Sequence, residues 1–298
     1  MVAVLSPSPP PPPSQSPRLL RLSHHPGRCL RWDAHSRRWW WAGSAAHAVH
    51  AYALHDGASP GIPLACRLPD AAALLAHCRS GHVLLGLAKR LGVAQPGRHP
   101  GPRRLRVQPL VAVDPAEPRT AISDGCIDRR GFLVFGTRNV AEDGRAIGSF
   151  YQYSRQHGLR RLALPVVAEA SAICFSADGR RMYFADARAS RIMACDYDAD
   201  AAGVGAAAVF AQLDVGIGAR GAALDADGCL WSAQPGQLLR YAPDGKVVQR
   251  IAHDCTSIAF GGAGLTQLAA VGAGGLFTVP VPGVAGQAES QFDDHPPQ

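Results

Sequence analysis

AICFSADGRRMYFADARASRIMACDYD (Ala172–Asp198) carries the fold in a single segment. An apolar run, Ala172–Phe175, leads into the turn Ser-Ala-Asp-Gly. A second run rich in aromatic residues, Met182–Ala185, follows, and a third strand over Ser190–Asp198 ends at another polar turn. Asp-Gly between two apolar runs is hairpin chemistry, because glycine supplies the positive φ that the turn requires. The same pattern recurs at Arg31–Leu54, Asp124–Thr137 and Ala222–Gly245, with weaker copies at Leu75–Leu91 and Ser257–Pro280. Six copies spaced at roughly 35–50 residues predict an all-β chain, a six-bladed β-propeller with one four-stranded blade per repeat.

Composition agrees with one folded body. The chain has 298 residues, 47% of them hydrophobic but only 7% aromatic, and 32 glycines that suit a fold with many turns. The formal charge is +7, yet several basic residues sit in the N-terminal arm and in Arg98–Arg106, with no basic stripe interleaved with aromatics. Nucleic acid is therefore not expected as a partner. The eight cysteines are scattered with no C-x-x-C pair; they read as reduced core residues and suggest a cytoplasmic setting. The proline-rich start, MVAVLSPSPPPPPSQSP, has no secretory apolar core, and no segment is apolar enough to span a membrane. The expected boundaries are a disordered tail at 1–18, a single propeller domain at 19–286 and a flexible C-terminal tail at 287–298.

Several residues invite chemistry that their context does not support. His24, His25, His47 and His50 lie in a strand-rich region and read as scattered histidines, not a metal cluster. Trp39-Trp40-Trp41 alternates on a strand, so at least one ring should pack between blades, leaving a sugar-stacking platform as the lesser reading. GVGAAAVFAQLDVGIGARG (Gly203–Gly221) is glycine-rich but precedes a strand, the reverse of a phosphate-cradling order. No G-x-S-x-G elbow occurs.

At the repeats the chain resembles the family of regucalcin (senescence marker protein), gluconolactonase and luciferin-regenerating enzyme. The resemblance lies in the Trp32-Asp33 opening of the first repeat, in SDGCIDRRGFLVFGT (Ser123–Thr137), GSFYQY (Gly148–Tyr153) and SAICFSADGRRMYFAD (Ser171–Asp186). It continues in RGAALDADGCLW (Arg220–Trp231) and in the closing run from Ile258 to Gly286. It implies a sugar-lactone (ester) hydrolase whose divalent cation, calcium or zinc, polarises a lactone carbonyl and activates water.

Carried over residue by residue, the family's three metal ligands (Glu, Asn, Asp) fall on Arg28, Ser171 and Arg220. The Asp that serves as general base or holds the metal's water falls on Asp124, the Asn before it on Ser123, and a substrate-contacting arginine on Ala121. Only Asp124 keeps its identity. Two guanidiniums at ~4–6 Å from a dication would each cost several kcal/mol at an effective dielectric near 20. No metal or other cofactor is therefore expected, unless a displaced acid such as Glu169 or Asp214 restores the site. Hydrolysis is expected to be weakened, altered or lost, with Asp124 as catalytic base and Arg28, Ser123, Ser171 and Arg220 contacting substrate. The alternative is a non-catalytic propeller that binds a small anion such as a sugar acid or phosphate, or a mouth closed by its own ion pairs. The repeats place Asp124, Ser171 and Arg220 just before the first strands of successive blades, so with Arg28 they should meet at one end of the channel.

Overall fold

The computed structural model describes residues 16–22, 27–43, 47–53, 63–96, 103–141 and 143–295. Most of the proline-rich arm, together with His24 and His25, lies outside them. The described chain forms six antiparallel sheets of four main strands, and its helical content is a single 3-10 turn, Ala263–Leu265.

Blade 1 takes Gly27–Asp33, Arg38–Gly43, Ala48–Ala53 and Pro63–Arg67 as its four strands, with the short Arg103–Arg104 alongside the last in parallel. Blades 2 to 5 begin at Ala72–His77, Thr120–Ile127, Ala170–Phe175 and Gly221–Leu224. Blade 6 uses Ser257–Gly261, Gln267–Gly272 and Gly275–Val279, and its outermost strand is Arg18–Leu22 from the other end of the chain. Each first strand touches the first strands of the two neighbouring blades, and blade 1 meets blade 6, so the ring closes.

The blade interfaces are the core. Six apolar clusters each join adjacent blades, for example Trp40, Val49, Leu75 and Leu85 between blades 1 and 2. The tryptophan run divides as strand alternation demands: Trp40 faces blade 2, whereas Trp39 and Trp41 pack on blade 6 with Val271 and Leu276. All three rings are buried, so the sugar-stacking alternative does not hold. None of the eight cysteines forms a disulfide, and seven of them are buried with Cys126 half-buried.

Hairpin turns are fixed by the aspartates that precede their glycines. Asp128 Oδ1 accepts from the amides of Arg130 and Phe132, both at 2.9 Å. Asp225 Oδ1 holds Asp227 and Cys229 in the same way, at 3.1 and 2.9 Å. The glycines that close these turns, Gly131 and Gly228, have φ of 88° and 76°.

The C-terminal segment departs from expectation. Beyond Gly286 the chain crosses the end of the channel where the inner strands finish, instead of fraying. Gln287 N donates to Leu224 O at 3.0 Å, Phe292 N to His77 O at 2.8 Å and Asp293 N to Gly131 O at 3.0 Å. Glu289 pairs with the buried Arg31 at 3.5 Å. Phe292 is fully buried and stacks on Tyr153. Sequence composition missed this because the aromatic anchor sits alone among polar residues.

Candidate functional site

The inner strands start at one end of the channel, and there the pairing register slips in four blades. The irregularities fall at Arg28–Arg31, Ala72–Leu74, Ile122–Asp124 and Ser171–Cys174. Such bulges re-aim side chains and turn the strand start toward the axis. Two of them carry strained backbone directly after a site residue: Cys29 and Ala172 each have φ of 53°. That left-handed conformation is costly for a residue with a Cβ, and it persists here because the surrounding sheet imposes it.

The result is an open cavity of about 740 Å³ at this mouth. Arg28, Ser123, Asp124, Ser171 and Arg220 all line it, as do Glu169 and Arg188. Asp214 does not; it sits exposed on the loop ahead of Arg220.

Asp124 stands on the floor. Its Oδ2 accepts from the Ile173 amide at 3.2 Å, across the interface between blades 3 and 4. Burial raises its pKa, against the pull of Arg31, the backbone amides of Ile173 and Gly125, and Arg28. Arg31 works from beneath, where its guanidinium donates to Gly125 O at 2.7 Å and to Leu30 O at 3.0 Å. Ser171 Oγ donates to Ala219 O at 2.8 Å, which ties blade 4 to the segment that carries Arg220.

The arginines are partly paired. Arg28 Nη1 lies 3.5 Å from Glu169 Oε1 and Arg220 Nη1 lies 3.8 Å from Asp254 Oδ1, both longer than a charge-assisted hydrogen bond. With side chains 43% and 41% exposed, both keep donors facing the cavity, and the mouth stays open. Arg188 has no carboxylate partner among the described residues. Its turn is set by Asp186, whose carboxylate accepts from the amides of Ala168, Glu169 and Arg188 at 2.8, 3.1 and 3.0 Å. Arg188 escaped the sequence reading because it follows a conventional strand end. The exposed-turn position after Tyr-Phe-Ala-Asp was the available signal. Among the described residues, no three His, Cys, Asp or Glu side chains are grouped to hold a metal.

A family model described as the SMP-30/Gluconolactonase/LRE-like region matches residues 26–272. An L-arabinolactonase of Azospirillum brasilense is 42% identical over 147 residues, 48% of either chain, so the match spans about half the length of that relative. A 6-deoxy-6-sulfogluconolactonase of Pseudomonas putida is 28% identical over 254 residues, 81% of either chain. A solved luciferin-regenerating enzyme superposes with a TM-score of 0.85 at 18% identity, over 93% of this chain and 98% of that one, a likeness of fold.

Proposed function

The chain belongs to the SMP-30/gluconolactonase/LRE-like family, and from that premise we propose that it hydrolyses a sugar lactone at the channel mouth. The observation that carries the proposal is Asp124: a carboxyl group on the cavity floor whose pKa burial has raised, with Arg28 close enough for their charges to interact. A base whose pKa is raised above the ordinary aspartate value is better matched to taking a proton from water. The lactonases among the curated relatives support the reaction class.

In the proposed reaction Asp124 accepts a proton from water as the water oxygen bonds to the lactone carbonyl carbon. Negative charge gathers on the carbonyl oxygen, and the Arg28 guanidinium faces it from the wall. Collapse breaks the bond to the ring oxygen, which takes the proton back from Asp124, leaving an open-chain hydroxy acid. Ser123, Ser171 and Arg220 contact the substrate.

The residues at the mouth do not suit a divalent cation. Of the positions onto which the resemblance carries the family's metal ligands, two are guanidiniums, Arg28 and Arg220, and the third, Ser171, directs its hydroxyl proton to Ala219 O. No step is assigned to a metal. Proton release from pentono- and hexonolactones, measured before and after chelation and with calcium, zinc or manganese restored, tests this. Expected are turnover above the spontaneous rate, indifference to metal, and a loss of about 10²–10⁴-fold in Asp124→Asn. Absence of turnover on every lactone, or turnover that Asp124→Asn leaves intact, would refute it.

A further inference from the structure

Resting on the lactone reading, we propose that the substrate carries a second, permanently charged oxyanion group remote from the ring carbonyl, a carboxylate, sulfonate or phosphate, and that Arg188 and Arg220 grip it. Three guanidiniums line the cavity, Arg28, Arg188 and Arg220. One, Arg28, suffices to face the carbonyl oxygen, since it is the one whose charge reaches Asp124. The remaining two stand on adjoining loops, Arg188 just after the second strand of blade 4, Arg181–Asp186, and Arg220 just before the first strand of blade 5, Gly221–Leu224.

Contact between those loops is backbone against backbone: a Cβ on Gly218 would sit 1.8 Å from Ala187 O. The turn bearing Arg188 is held at its base by the Asp186 carboxylate. Both arginines are therefore presented by fixed backbone, which limits the ordering cost of gripping a ligand. Gly216, Gly218, Ala187 and Pro235 also line the cavity. These leave room in front of the donors and offer no side-chain acceptor.

Arg220 has one carboxylate within ion-pair distance, Asp254, which is 63% exposed and also accepts the Gly236 amide at 3.0 Å. Glu169 is taken by Arg28. Among the described residues Arg188 is the cavity guanidinium left without a carboxylate partner, matching a singly charged substituent. A guanidinium fork suits the planar or tetrahedral oxyanion geometry of all three candidate groups. A neutral lactone has no use for the unpaired Arg188.

The test compares lactones matched in ring and differing only in the far substituent: hydroxyl, carboxylate, sulfonate or phosphate. KM and kcat are measured for the parent, Arg188→Gln and Arg220→Gln. Lactam analogues that cannot be hydrolysed are titrated by calorimetry in parallel. The expected result is a KM for at least one anionic lactone about tenfold or more below that of the neutral one, the factor for one charge-assisted hydrogen bond. Arg188→Gln should erase most of that ratio, and added salt should shrink it. The arm with the largest ratio identifies the oxyanion. Equal KM values for neutral and anionic lactones, or a ratio that survives both substitutions, would overturn the proposal. If no lactone turns over, the lactone reading fails separately. The lactam titrations then decide the anion grip alone: a preference for charged analogues lost in Arg188→Gln supports it, and no preference overturns it.

Discussion

Asp124 is a carboxyl group in a place that disfavours its charge, and that conflict is measurable. Its folded pKa lies above the ordinary 3.8 because burial opposes ionisation. A raised folded pKa means that the protonated form favours the native state. Stability from this group is full at acid pH and declines as pH rises through the folded value. Asp124→Asn, which keeps the shape without the charge, should therefore raise the melting temperature near neutrality, and the advantage should vanish toward acid pH. The same group should set the acid limb of kcat/KM in the parent above 3.8. Melting and rate profiles across pH check both. A variant less stable than the parent at neutral pH would show that the carboxylate serves the fold. At this scale sequence spoke clearly about Asp124, which sits in a repeat block. It was silent about Arg188, whose importance comes from having no carboxylate partner among the described residues.

Strands and loops decide how those residues are aimed. The bulges at the starts of the inner strands turn Asp124 and Ser171 toward the axis, while the hairpin aspartates Asp128 and Asp225 hold the far ends. The loop ahead of blade 5 depends on one close approach. Gly218→Ala would drive a Cβ into the Ala187 carbonyl, so one backbone must shift. Overpacking of this kind costs about 1–3 kcal/mol, and the displaced turn carries Arg188. The variant should melt lower and show a raised KM with a smaller change in kcat. An unchanged KM would mean that the Arg188 turn does not position substrate. Sequence exposed the hairpins through their Asp-Gly turns. It did not expose the bulges, because an extra residue in one strand is visible only against its partner.

Across the whole molecule the two ends of the chain complete what the repeats begin. Arg18–Leu22 pairs with Gly275–Val279 to close the ring, and the segment after Gly286 spans the channel to blades 2 and 3. Phe292, fully buried, anchors that crossing. Phe292→Ala should cost about 3–5 kcal/mol, the range for a large aromatic removed from a packed core. A clear fall in the denaturant midpoint is the expected reading. An unchanged midpoint would mean that the segment adds nothing to the fold.

The six-fold repeat of turn chemistry and strand alternation was local information, so sequence alone determined the propeller, the blade order and the packing of at least one ring of the tryptophan run between blades. The gathering of Arg28, Asp124, Ser171 and Arg220 also followed, because equivalent positions in a closed ring must meet at its axis. Only the tertiary structure decided what those residues touch: Glu169 beside Arg28, Asp254 beside Arg220, Arg31 beneath Asp124, and Arg188 with no carboxylate of its own. These relations join residues far apart in the chain, and the charge balance of a cavity depends on distances that no periodicity encodes. The docking of the C-terminal segment has the same origin. A single aromatic residue in a polar stretch carries no pattern, and its pocket exists only once blades 2 and 3 have packed around it.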